Sequence, residues 1–166
     1  MRYAYYSRLR ASDKAIYRHS DSIETLKLTG SQELRPIVRR LEEALAAEDR
    51  NEVELTAREL TNELIEQLAV GPVTVKVLTA RPSDDWGELH GLYEEPEGRR
   101  RARITVWMRT ARHKKVVAFR TFLRTVLHEI CHHLDYELLE LADSFHTEGF
   151  FKRESSLFHQ LVPAKR

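Results

Sequence analysis

Five consecutive residues, His128-Glu129-Ile130-Cys131-His132, place two imidazoles four positions apart with a carboxylate directly after the first. On an α-helix, residues i and i+4 stand one above the other, about 6 Å apart along the axis. Both rings can then reach one Zn2+ at about 2.0–2.1 Å. Glu129 follows the first ligand by one position, so it addresses a water held by the ion rather than the ion itself. It can take that water's proton and pass it to a leaving amine while the ion polarises a carbonyl. The spacing therefore predicts zinc-dependent hydrolysis of a peptide bond, with His128 and His132 as ligands and Glu129 as the general base.

A catalytic zinc needs a third protein ligand and an open position. His146 is the expected ligand, because by then the helix has ended and the chain can fold back. Glu148, Glu154, Asp135 and Asp143 compete for the role. Glu154 would make the third ligand a helix-borne glutamate, whereas Asp135, about one turn beyond His132, is better placed to support a ligand than to be one. Lys152 or Arg153 would supply a cation for a developing oxyanion. His133 points to another helix face and is expected to pack or hydrogen-bond, and Cys131 reads as a small buried residue. His90 is expected at the surface, while His19, His113 and His159 have no partner pattern. Arg99, Arg100, Arg101 and Arg103 could grip a phosphate backbone, but Glu94, Glu95 and Glu97 precede them, which favours a solvated hairpin tip.

The surrounding elements must position these groups. Phe119, Leu123, Val126, Leu127, Ile130 and Leu134 form an apolar stripe that predicts a helix from about 116 to 139. Asp143 to His146 reads as a loop, and Thr147 can cap a last helix containing Phe150, Phe151, Leu157 and Leu161. Upstream, Val73 to Leu78 and Ala102 to Met108 are β-branched strand patterns, and Gly87 to Glu94 is a weaker one. Glu94-Glu95-Pro96-Glu97-Gly98 is turn chemistry that joins the last two as a hairpin. The strand at 102–108 is expected to be central and to pair also with 73–78. The strand at 87–94 then becomes the edge offered to an extended substrate, with Gly91 and Leu92 as substrate-binding residues. Gly91 would let a substrate backbone approach closely.

Before the strands, a short helix is expected near Ala11 to Arg18. Leu34, Ile37, Val38, Leu41 and Leu45 predict a second helix, with Ser31 placed to cap it. Asn51 and Glu54 resemble a capping box that opens a third helix, lined by Val53, Ala57, Leu60, Leu64 and Leu68 and stopped by Gly71-Pro72. The last two helices are expected to form an antiparallel hairpin. The fold class is thus α+β: an N-terminal helical hairpin, a small twisted three-stranded sheet, the active-site helix and a C-terminal helix. Residues 1–166 read as a single domain, with 1–70 as its helical N-terminal part and 73–162 as its catalytic core.

Composition sets the outer limits. An apolar share of 42% and a charged share of 32% over 166 residues describe an ordinary water-soluble domain with a real core. A net charge of +1 gives no global field for nucleic acid or anionic membrane. No apolar run approaches the ~18 residues of a membrane span, and the single cysteine fits a reducing compartment, so the cytoplasm is expected.

His128-Glu129-Ile130-Cys131-His132 followed by His146-Thr147-Glu148-Gly149-Phe150 resembles the SprT-like and WLM group of zincin peptidases. In that group a third histidine is followed four residues later by an aromatic that packs under the site. Gly91-Leu92-Tyr93 ahead of Ile104-Thr105-Val106 is similar to their sheet before the active-site helix. The resemblance covers roughly residues 73 to 154 and implies a zincin-like fold, a zinc cofactor and a peptide or protein substrate. Residues 1–70 have no counterpart in it. Two rival readings remain: a non-catalytic zinc-binding interaction module, and a nucleic-acid-associated protease resting on the arginine cluster and the family resemblance.

Overall fold

Val73, Val75 and Val77 are buried while Thr74 and Lys76 between them are exposed, so the predicted alternation becomes a strand with one covered face. The structure is a computed structural model that describes residues 2–84 and 87–164. Its strands are β1 (Val73–Ala80), β2 (Ser83–Asp84), β3 (Gly87–Glu88), β4 (Gly91–Glu94) and β5 (Ala102–Arg109). The main sheet has the order β1-β5-β4, with β5 parallel to β1 and antiparallel to β4. The strand at 102–109 is therefore central and β4 is an edge, as the sequence predicts. The predicted strand at 87–94 does not run unbroken, however. Gly87 takes φ +117°, a conformation open to glycine, and β3 pairs separately with β2. Leu89 and His90 lie between the two pieces.

The helices are α1 (Ala11–Ser22), α2 (Ser31–Ala46), α3 (Arg50–Gln67), α4 (Phe119–Glu137) and α5 (Glu148–Leu161), and a 3-10 turn at Ala4–Arg8 precedes them. α2 and α3 form the expected antiparallel hairpin: Gly30 and Gln67 exchange hydrogen bonds at 2.9 and 3.0 Å at its open end, and Arg40 pairs with Glu59 farther in. Leu34, Leu41, Leu60 and Leu64 lie at its interface with exposures of 0–1%, each contributing about 1.5–3 kcal/mol by leaving water. Both predicted caps are corrected. Ser31 is already helical and Gly30 precedes it without a side-chain bond, while α3 is capped by Asp49, whose carboxylate accepts from the Glu52 amide. Asn51 lies inside α3, because a cap needs its carboxylate outside the first turn and Asp49 is the residue there.

β-Sheet register decides which residues meet the helices. Val73, Val75 and Val77 pair with Ala102, Ile104 and Val106, and Gly91 and Tyr93 pair with Val106 and Ile104, so all of these share the buried face. α4 crosses this face over β4 and β5, and α5 packs on α4, α2 and α1. α4 starts at Phe119 rather than at 116, because Val116 still pairs with Arg109 and the Val117 amide donates to Met108 O at 2.8 Å. Its buried stripe accordingly uses Phe122, with Phe119 half-buried. Among the described residues no helix is long and apolar enough to cross a membrane.

The two edges of the sheet are finished differently. On the β1 side, Arg50 and Arg58 of α3 donate to Val77 O and Val75 O at 2.7 Å, and Glu54 accepts from the Val77 amide at 3.0 Å. These side chains cap the main chain of that edge. Among the described residues, neither a strand nor a side chain bonds to the outer main chain of β4. That open edge borders the site described next.

Candidate metal centre

α4 carries His128 and His132 on consecutive turns, and the loop after it brings His146 back over them. His146 Nε2 lies 3.1 Å from His128 Nε2 and 2.9 Å from His132 Nε2. These three residues form one group with ligating atoms within 4.8 Å of one another. Two ligands on a tetrahedral zinc lie about 3.3 Å apart, so the spacing is close to what one ion imposes. Glu154, Asp135, Glu148 and Asp143 do not belong to this group.

The other nitrogens of the α4 pair are held. His128 Nδ1 lies 2.8 Å from Glu154 Oε1, so it donates to that carboxylate. His132 Nδ1 lies 2.7 Å from Ser144 Oγ, whose own proton goes to Asp135 Oδ2, also at 2.7 Å. The serine can then only accept from His132. Both imidazoles are thereby fixed with the proton on Nδ1 and a bare lone pair on Nε2. His146 Nε2 carries at most one proton and cannot satisfy both neighbours. At least one of the short N···N contacts therefore sets lone pair against lone pair, and a cation at their common point would relieve this. The donor set fits a divalent metal: three imidazoles, one oriented by the Glu154 carboxylate and one by a serine that Asp135 holds.

The electrostatics agree. Burial pushes His132 down to about 3, helped by the charges of His128 and His146. Burial also lowers His146, again with His128 adding to the effect. Both shifts favour the neutral ring, which is the form that ligates. Burial pushes the Glu129 carboxyl up to about 7, against the opposing charge of His128 and with that of Glu154 adding to the rise. Glu129 is therefore poised where a general base works best near neutrality.

Phe150, four residues after His146, is fully buried, with its ring centroid 5.0, 4.8 and 5.2 Å from those of His128, His132 and His146. It floors the site beneath the three rings. The loop is anchored from the other end of the chain. Tyr5 Oη donates to the His146 carbonyl at 2.6 Å, and Ser20 and Thr147 share a hydrogen bond at 3.1 Å. Thr147 caps α5 as predicted, accepting from the Phe150 amide. Gly149 is held so close to α1 that a Cβ would lie 2.5 Å from Asp21 O.

A two-lobed cleft opens over the metal centre along β4. The wider lobe, of about 520 Å³, is lined by Leu89, His90, Thr121, Arg124 and Phe151 among others. The narrower, of about 330 Å³, is lined by Leu92, Tyr93, Glu95, Tyr136, Ser144 and His146. Gly91, His128 and Glu129 line both.

Several expected roles change. Gly91 faces α4, not the open edge: a Cβ there would meet Thr125 Cγ2 at 2.8 Å and Glu129 Oε1 at 3.2 Å. Its small size makes room for the Glu129 carboxyl. Leu92, on the other face, is exposed at the rim. Arg153 is fully buried and donates to Asp135, to Ser20 Oγ and to the carbonyls of Ser20 and Ile23, while Lys152 pairs with Glu24 and Glu148. Neither cation lines the cleft, so neither takes the expected oxyanion role. His133 packs as expected, with Nε2–H donating to Gly71 O at 2.8 Å and Nδ1 accepting from Tyr93 Oη at 2.9 Å. Arg100 and Arg103 pair with Glu94 at the hairpin tip. Ser144, Tyr136 and the supporting role of Glu154 were not read from the sequence. Glu154 was weighed there only as a rival third ligand, whereas it holds His128 from behind. Comparison with protein-family models, with curated proteins and with solved structures finds no match to this chain.

Proposed function

We propose that the chain is a zinc-dependent peptidase of the SprT-like and WLM kind. One observation carries the reading: three Nε2 atoms converge beside a buried glutamate, in a cleft bordered by an unpaired strand edge. His128, His132 and His146 would hold the ion, which supplies Lewis acidity toward a scissile carbonyl and toward water. The substrate main chain pairs with β4, which fixes the carbonyl over the histidines. Glu129 accepts a proton from the attacking water as its oxygen bonds to the carbonyl carbon. The same carboxyl then gives that proton to the departing amine as the C–N bond breaks. Phe150 beneath His146 supports the family reading, as does the absence of a fourth convergent ligand among the described residues, since a structural zinc takes four.

The test is metal content together with cleavage. Purified protein should hold about one zinc per chain and cleave members of a mixed peptide library. Glu129→Gln should keep the zinc and lose turnover by about 10²-fold or more, because an amide accepts no proton. Zinc binding without cleavage of any peptide would leave the binding-module reading in its place.

A further inference from the structure

We propose that the cleft selects an extended peptide carrying a large apolar side chain and, a few residues away across the metal centre, a lysine or arginine. The inference rests on the peptidase reading and adds the substrate class. Among the described residues, Tyr3, Leu55, Leu89, Leu92 and Phe151 are the exposed large hydrophobic side chains. Scattered exposed apolar residues need no explanation, but four of these gather at one place. Leu89 and Phe151 line the wider lobe, Leu92 the narrower one, and Tyr3 packs edge-on against Phe151 at 6.3 Å.

In the wider lobe, away from Glu129 at the metal-binding end, Glu88, Glu154 and Arg124 are engaged with protein partners. Glu88 accepts from the Ala111 amide at 2.6 Å and faces Arg81, and Glu154 faces His128 and Arg124. Leu89 and Phe151 supply its exposed large apolar surface, in a space of about 520 Å³ that holds a leucine-sized or phenylalanine-sized side chain with room to spare. The narrower lobe has the opposite character. No lysine or arginine lines it, and the exposed Glu95 stands beside the stacked rings of Tyr93 and Tyr136, whose centroids are 6.1 Å apart. A cation would find there both a carboxylate and aromatic faces. β4 sets the spacing. Leu92 lies within β4 and Leu89 two residues before its start, a separation of three positions and so at most about 10 Å, and a strand lying along β4 addresses both lobes with side chains about two to four residues apart.

The experiment uses zinc-loaded Glu129→Gln protein and fluorescently labelled twelve-residue peptides of otherwise neutral sequence, read by polarisation. One series carries Leu and Lys two, three or four residues apart. Control series replace Leu by Asp or Lys by Glu. The best Leu–Lys peptide should bind at least tenfold tighter than either control. Leu89→Asp should erase the preference for Leu, and Glu95→Lys should reverse the preference for Lys over Glu. Equal binding by all series, or preferences unmoved by these two surface variants, would overturn the proposal. If the preferences hold but wild-type protein cleaves none of the peptides, the peptidase reading fails and the assignment of the lobes stands. If wild-type protein cleaves all series alike, the peptidase reading stands and the lobe assignment fails.

Discussion

Arg153 of α5 donates to Asp135 of α4 at 3.0 Å, with their side chains 1% and 0% exposed. The other oxygen of Asp135 receives the Ser144 proton, and Ser144 in turn holds His132. Arg153 also collects the Ser20 and Ile23 carbonyls at the end of α1. A single buried ion pair thus joins α1, α5 and the orientation of one imidazole of the candidate metal centre. Its net contribution to stability is small, since burying both charges costs nearly what their attraction returns.

Breaking the pair from one side is different. Asp135→Ala leaves the Arg153 charge buried alone and should cost about 3–5 kcal/mol. The double variant Arg153→Met with Asp135→Leu should recover most of this in denaturant unfolding. It should still bind zinc more weakly than wild type in a chelator competition, because Ser144 has lost its acceptor. Recovery of both quantities would detach the pair from the site.

Ser144→Ala and Glu154→Ala each remove the partner of one Nδ1–H. Each should weaken zinc binding by about 10–100-fold with the fold retained, whereas His146→Ala should abolish stoichiometric binding. Full zinc occupancy in His146→Ala, with loss in Glu154→Ala, would reassign the third ligand.

Acid should separate the metal-free from the loaded protein. In an unfolded chain these histidines titrate near their ordinary value of about 6.5, but in the folded protein burial holds His132 down to about 3 and lowers His146. The unfolded state therefore takes up protons first as pH falls. Metal-free protein should lose stability progressively from about pH 6.5 downward, with no contribution from these groups above it. Zinc, bound only to neutral rings, should hold Tm up through the upper part of that window. Melting curves across pH, with and without zinc, measure the difference, and coincident curves would contradict the site.

Gly91→Ala should lower turnover without removing zinc, because the new Cβ meets Thr125 Cγ2 and Glu129. Thr125→Ser deletes that methyl and should rescue part of the loss. Gly149→Ala presses on the main chain of α1 and has no such remedy. It should cost on the order of 1–3 kcal/mol in unfolding.

The sequence made the site's centre legible because helical spacing is local: His128, Glu129 and His132 follow from a single turn of α4. The sheet order was legible too, since Val and Ile enrichment marks β5 as the buried strand. His146 followed from residue type together with the end of a helix. Ser144 and Arg153 did not. Their roles depend on contacts with residues 9 to 133 positions away, and nothing in a serine or an arginine announces such a partner. Gly91 was singled out for the right reason, a close approach, but the approaching atoms belong to α4. The break between β3 and β4 escaped notice because Gly87 reads like any strand glycine until its φ is known.

Tyr5 holds the His146 carbonyl from 141 residues away, and Ser20 meets Thr147 across 127. Synthesis runs from the N-terminus, so the chain makes its loop anchors first and the loop they anchor nearly last. Contacts of such long separation are also slow to form. A growing chain has the α4 pair but lacks the third imidazole, its floor at Phe150 and the carboxylate that orients His128. The three imidazoles therefore come together only after α5 has been made, later than the helix that carries the first two.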